Sequence, residues 1–192
     1  MQSKKQCGSY NNTSYANIYK PAEDTFLLAD ALSDARGDNA LEIGTGSGYI
    51  AGILARNFKN VVATDIDAKA LLYAKSNYNM DNISYICCDA ADAIVGMRFD
   101  LIAINPPYMP SDSIKDRSID GGNGGIEVAI SMLKSASRLL ADHGNIYMVI
   151  SSLSDYSRLI SFIKDKLGLD ALIIMKRAYW FEELFVIKIS NR

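Results

Sequence analysis

Four short apolar runs in this 192-residue chain each end on a carboxylate, an asparagine or a glycine turn, and that repetition constrains the fold more than any other feature. The runs are Asn39 to Ile43 before Gly44, Val61 to Thr64 before Asp65, Ile83 to Cys87 before Asp89, and Phe99 to Ile104 before Asn105. Short apolar runs bounded by turn residues read as buried strands. Helices are expected between and after them, at Glu23 to about Ala35, Ser47 to Asn57, Ala68 to Tyr78, Ile126 to Leu140 and Tyr156 to Leu167. Further strands are expected at Asn145 to Ile150, Ala171 to Met175 and Leu184 to Ile189. Such alternation predicts an α/β, Rossmann-like architecture with a doubly wound, mostly parallel sheet. The last two strands have no helix between them and should close as a C-terminal antiparallel pair. Ligands bind such sheets outside the carboxyl ends of the strands, which is where the four polar ends fall.

At 49% hydrophobic content the chain carries enough apolar surface for one globular domain, expected over residues 15–192 behind a polar tail at 1–14. A net charge of −2 and a pI near 5.4 supply no global basic field, so direct nucleic-acid binding is not expected. Cys7, Cys87 and Cys88 show no C-x-x-C spacing and no partner for the lone His143. No metal site is expected, and an odd thiol count favours a reducing, cytoplasmic setting. Cys87-Cys88 reads as a pair of small buried hydrophobes at a strand end rather than a redox pair. His143 is expected in a turn before a strand, with no catalytic role. No apolar run reaches spanning length and the polar start has no signal-peptide core, so no membrane association is expected.

Asn105-Pro106-Pro107-Tyr108 is the most chemically suggestive of the strand ends. Two prolines remove two backbone donors and stiffen the turn. The Asn105 side chain and the Pro106 carbonyl can then both accept from one planar NH2 group, with Tyr108 on its face. Holding both protons frees the nitrogen lone pair to attack an electrophilic methyl, a site suited to methylating an amide or an exocyclic amine. An ordinary Asn/Pro turn explains the same four residues locally. Some 20 residues without a clear element follow, Asn105 to Gly124, and long loops in compact domains tend to be functional.

The turn after Leu41-Glu42-Ile43 is G-x-G-x-G (Gly44, Gly46, Gly48), not the G-x-G-x-x-G of a dinucleotide pyrophosphate site. Glu42 suits an ammonium and opposes a pyrophosphate, which points to S-adenosylmethionine. Asp65, 21 residues after Gly44, can accept both ribose hydroxyls, while Asp67 caps the next helix. Asp89 either accepts from the adenine amine or is a plain turn carboxylate.

With these motifs in place the chain resembles the S-adenosylmethionine-dependent methyltransferases, and within them the HemK family that methylates a release-factor glutamine. The match is to its short archaeal and eukaryotic branch. It runs through Ile18 to Leu28, Leu41 to Gly48, Thr64 to Asp67, Asp89, Asn105 to Tyr108, Gly121 to Glu127 and Trp180 to Leu184. The resemblance implies a class I methyltransferase fold, S-adenosylmethionine as cofactor, and a cofactor lining of Thr25, Glu42, Gly44, Asp65, Asp89, Ala90 and Asn105. Asn105, Pro106, Pro107 and Tyr108 would bind the acceptor, and Asn105, Pro106 and Tyr108 would act on it. Pro21 to Thr25 would close over the methionine end of the cofactor, although a helix start accounts for it equally well.

The resemblance also implies a peptide chain release factor as substrate, methylated on the glutamine of a Gly-Gly-Gln motif. Some relatives depend on a small zinc-binding activator protein. The family's strand order puts Ile83-Ser84-Tyr85-Ile86-Cys87 at the sheet edge, unguarded by lysine or proline, where an activator or a second copy can add a strand. Rival readings are an adenine or guanine N-methyltransferase, a protein lysine methyltransferase, and a non-catalytic module that keeps the cofactor fold. Tyr179-Trp180-Phe181 reads as aromatic packing around the final hairpin, with a protein-binding patch as the alternative. The Gly121 to Gly125 run is open between letting the substrate loop move, admitting the acceptor backbone, and serving as a plain flexible connector.

Overall fold

The computed structural model describes residues 18–192, so the expected tail lies outside the described residues. The elements run α1 (Glu23–Ala31), β1 (Gly37–Ile43), α2 (Tyr49–Leu54), β2 (Phe58–Asp65), α3 (Ala68–Asn77), β3 (Ile83–Cys87) and β4 (Phe99–Ile104). Two short strands, β5 (Met109–Pro110) and β6 (Asp120–Gly122), precede α4 (Glu127–Ser137), β7 (Leu140–Ser151), α5 (Tyr156–Lys166), β8 (Asp170–Ala178) and β9 (Glu183–Ser190). Seven strands form one sheet in the order β3-β2-β1-β4-β7-β9-β8. The first five are mutually parallel, and β9 lies antiparallel between β7 and β8. The expected doubly wound sheet with an antiparallel closing pair is therefore present.

Alternating side chains divide the sheet between two cores. Ala40, Ala63, Leu101, Ala103, Val149 and Val186 pack against Leu27, Leu28, Ile50 and Leu54 of α1 and α2. Leu41, Ile43, Ile102, Ile104, Ile146 and Ile187 pack against Ala129 and Leu133 of α4 and Leu159 and Ile163 of α5. Burial on both faces explains why the central strands read as continuous apolar runs rather than alternating ones. Small residues on the α1/α2 face let those helices sit close to the sheet.

Several local expectations change. β7 starts at Leu140, five residues early, and takes in His143, which is exposed. A register shift opposite Phe99–Leu101 absorbs this polar start, so the pairing survives residues that look like a turn. The long segment after Asn105 is built rather than loose. β5 and β6 pair within it, and Asp120 accepts from the Lys115 and Asp116 amides at 2.8 Å each. Cys87 is exposed and Cys88 half-buried, because β3 is an edge strand with one flank uncovered. No helix among the described residues is long and apolar enough to cross a membrane.

Candidate active site

The carboxyl ends of β1, β2, β3 and β4 open into one cleft of about 1130 Å3, and all ten sequence-predicted site residues line it: Thr25, Glu42, Gly44, Asp65, Asp89, Ala90, Asn105, Pro106, Pro107 and Tyr108. Glu42 projects from the end of β1. Its Oε2 accepts from the Thr45 hydroxyl at 2.5 Å and the Ala51 amide at 2.8 Å. Burial pushes its carboxyl up to about 8 despite those two donors, and the nearby Asp65 charge adds to the rise. Asp65 ends β2 and accepts from the Gly46 and Asp67 amides, both at 2.9 Å. Burial raises its pKa as well. Asp67 caps α3 through the Lys69 amide at 2.9 Å.

Ala90 is the one non-glycine residue with positive φ among those described, at 45°. Such a conformation costs roughly 1–3 kcal/mol and persists only where surrounding contacts hold it. Here the Thr64 hydroxyl donates to the Ala90 carbonyl at 2.6 Å, fixing the turn after β3 against the end of β2. Asp89 beside it is exposed to the cleft.

Asn105 sits at the cleft wall where β4 ends. Its Nδ2 donates to the Thr25 hydroxyl at 3.4 Å, while its Oδ1 is buried with no hydrogen-bond partner among the described residues. An unsatisfied buried acceptor costs about 1–3 kcal/mol and calls for a donor.

Sequence reasoning missed the residue that ties the cleft together. Asp24, in the first turn of α1, reads as a partner for the helix dipole, yet its carboxylate is buried. It accepts from the Tyr19 hydroxyl at 2.6 and 2.7 Å, from the Tyr108 hydroxyl at 3.1 Å, and from the Thr25 backbone and side chain. Burial foremost, then the nearby Asp24 charge, raises both tyrosine pKa values, so both stay protonated donors. One buried carboxylate thus fastens the segment before α1 to the Asn-Pro-Pro-Tyr turn. The only advance signal was an acid one residue before Thr25, which a local explanation already covered.

The Gly121–Gly125 run also resolves. A Cβ on Gly125 would fall 2.2 Å from the Tyr108 carbonyl oxygen, and one on Gly121 would fall 2.8 Å from that of Pro107. These glycines let the run press on the backbone of the Asn-Pro-Pro-Tyr turn. Ser154 Oγ donates to the same Tyr108 carbonyl at 2.7 Å. Trp180 and Phe181 overturn the packing expectation, standing 103% and 75% exposed at the hairpin tip.

The residues present fit S-adenosylmethionine. Glu42, Asp65 and Asp89 set three carboxylates at the strand ends, favourable for a cation with a ribose diol, while the basic side chain among the described lining residues, Arg117, comes from the segment between β5 and β6. Gly44 leaves the floor of the cleft open, and Asn105 Oδ1 awaits a donor. Sheet order and strand-end chemistry together define a class I S-adenosylmethionine-dependent methyltransferase.

Comparison with known proteins narrows the class. The methyltransferase small domain model matches residues 20–180. A putative protein N5-glutamine methyltransferase of Methanocaldococcus jannaschii is 34% identical over 182 residues, spanning 90% of this chain and 91% of that one. Methyltransferase HEMK2 of Homo sapiens is 29% identical over 203 residues, spanning 96% of this chain and 94% of that one. The E. cuniculi Mtq2–Trm112 complex, responsible for methylation of the eRF1 translation termination factor, contains a chain with a TM-score of 0.76 and 25% identity. That match covers 92% of this chain and 99% of the other. The chain belongs to the methyltransferase small-domain family, in its short HemK2-type glutamine methyltransferase branch.

Proposed function

We propose that this protein methylates the side-chain amide nitrogen of the glutamine in the Gly-Gly-Gln motif of a peptide chain release factor. The observation that carries the reading is Asn105 Oδ1, a buried acceptor at the end of β4 without a partner among the described residues. Thr25 occupies the Asn105 Nδ2, so the side chain is oriented to accept rather than donate. The M. jannaschii relative named for N5-glutamine methylation and the eRF1-methylating Mtq2 support the choice of acceptor.

In this reading Thr25, Glu42, Gly44, Asp65, Asp89, Ala90 and Asn105 hold the cofactor, and residues 15–192 act as one methyltransferase domain. When bound, S-adenosylmethionine supplies a methyl group on a sulfonium, whose transfer leaves a neutral thioether. Asn105 Oδ1 and the Pro106 carbonyl accept the two amide protons and localise the lone pair on nitrogen. Tyr108, held by Asp24 and Ser154, packs on the plane of the amide. Catalysis is then positioning in a partly dry site rather than strong general-base chemistry. The excess proton leaves after the new bond has made the nitrogen acidic.

The edge strand β3 is proposed as the surface for a small activator, which would add a strand there. Its position at the sheet margin and the complexed state of Mtq2 support this. A stable, fully active monomer with β3 exposed to solvent would sink the idea.

The test is intact-mass analysis and peptide mapping of the release factor after incubation with the protein and S-adenosylmethionine, with and without the activator. One added methyl on the Gly-Gly-Gln glutamine, absent with Asn105→Ala, is the expected result. Near-normal turnover by that variant refutes the assignment.

A further inference from the structure

We infer that Trp180 and Phe181 are the docking anchor for the acceptor protein, an inference that rests on the proposed release-factor substrate. They are the central two of the four residues between β8 and β9, Tyr179 to Glu182, across which the Tyr179 amide donates to the Glu182 carbonyl at 2.8 Å. Glycine, asparagine and aspartate favour such positions. Two large aromatics there, 103% and 75% exposed, add nothing to either core and have no local conformational rationale. Exposed aromatics of this kind are the residues that dominate protein–protein binding energy.

Their position selects the occupant. β9 runs antiparallel to β7 and Leu184 pairs with Ser151, so the tip lies at the carboxyl end of β7, the same end of the sheet as Asn105. Phe181 and Glu182 line the cleft itself. A chain of hydrogen bonds fixes the tip relative to the acceptor turn. Ser151 Oγ donates to Glu182 at 2.6 Å, the Ser152 amide donates to the Glu183 carbonyl at 2.8 Å, and Ser154 Oγ donates to the Tyr108 carbonyl at 2.7 Å. Leu153, 39% exposed, extends the apolar surface within this same segment. A small partner pairing with β3 would sit at the opposite margin of the sheet, on the order of 25 Å away. A protein that inserts a glutamine into the cleft passes directly over the tip.

Trp180 is the only tryptophan in the chain, so biosynthetic 5-fluorotryptophan gives a single 19F resonance that reports on the anchor. The full chain, with activator, is titrated with release factor while methylation is followed by mass. The expected result is a shifted or broadened resonance. Trp180→Ala and Phe181→Ala should each raise KM for the release factor about tenfold, with Trp180→Ala leaving cofactor affinity unchanged. Methylation with an unmoved resonance and unaltered KM overturns the anchor and leaves the substrate reading standing. No methylation of the release factor overturns the substrate reading and the anchor with it. A resonance that moves on concentrating the labelled chain alone assigns the tip to a second copy and also overturns the proposal.

Discussion

Two glycine-rich runs border the same cleft and serve opposite ends. In the run after β1, a Cβ on Gly44 would meet, among the described residues, only the Met132 methyl at 3.4 Å, because the space above the backbone opens into the cleft. In the run before α4, a Cβ on Gly125 would lie 2.2 Å from the Tyr108 carbonyl and 3.0 Å from Ser154 Oγ, because that space is filled by the protein. Gly44 in the first run keeps a hole open, while Gly48 behind it packs on Ala74 and Tyr78; Gly125 in the second run closes a hole so that the acceptor turn is buttressed from behind. Glycine content alone does not distinguish a binding loop from a packing device. What its missing side chain would strike does.

The largest effect should therefore come from Gly125→Ala. Positive φ and a backbone clash coincide there, and about 3 kcal/mol or more of stability should be lost. In the surviving folded fraction, kcat should fall by about a hundredfold as the Asn105–Tyr108 turn shifts. Calorimetric cofactor affinity should stay within about twofold. Loss of cofactor binding to the same degree would mean that the two runs are not separate devices.

Asp24→Asn comes next, because it weakens the buried carboxylate that joins both sides of the cleft through Tyr19, Tyr108 and Thr25. An asparagine offers one acceptor oxygen where the carboxylate serves Tyr19, Tyr108 and Thr25. A stability loss of about 2 kcal/mol is expected from the weakened charge-assisted bonds, with cofactor KM rising and kcat falling together. Tyr19→Phe should move cofactor KM alone. If Tyr19→Phe changes kcat instead, Asp24 does not divide its work between the two sides as its contacts imply.

Gly44→Ala should cost the fold only about 1 kcal/mol, from backbone strain at φ 76° with little to strike. Cofactor Kd should rise about tenfold as the new methyl enters the open floor. Equal damage to stability and affinity would erase the contrast with Gly125.

The same contrast explains what was legible in advance. The four strand ends were readable because they recur together: each alone is explained by an ordinary turn, but four polar ends on successive buried strands fall at one edge of the sheet, and Glu42, Asp65, Asp89 and Asn105 do share one cleft. Asp24 was not, since its partners lie 5 and 84 residues away and only folding brings the two tyrosine hydroxyls to one carboxylate. The purpose of Gly121–Gly125 depended on a carbonyl from a different segment. Trp180 and Phe181 were misread because aromatic residues beside a hairpin ordinarily pack, and nothing local announces a tip that turns outward. The start of β7 was missed because a bulge let Asp142 and His143 stay in a strand.

Glu42 provides the subtlest test, because its protonation separates the protein's own preference from the ligand's. Burial raises its carboxyl from 4.5 to about 8 in the fold. A carboxyl raised on folding stabilises most where it is protonated in both states. Its contribution is complete below about 4.5 and is lost as pH climbs through about 8. Stability of the free protein should decline across that window. A cationic cofactor beside Glu42 favours the ionised form, so binding should expel a proton and cofactor affinity should rise over the same range. The rise between about pH 7 and about pH 8 should be about fivefold, flattening above. Calorimetry in buffers of different ionisation enthalpy measures the released proton directly, and Glu42→Gln should abolish both the release and the slope. If the slope survives in Glu42→Gln, the titrating group lies elsewhere and the buried carboxylate only organises Thr45 and Ala51. If stability and affinity instead move in the same direction with pH, the strand-end acid is not the cation site that its burial at the cleft implies.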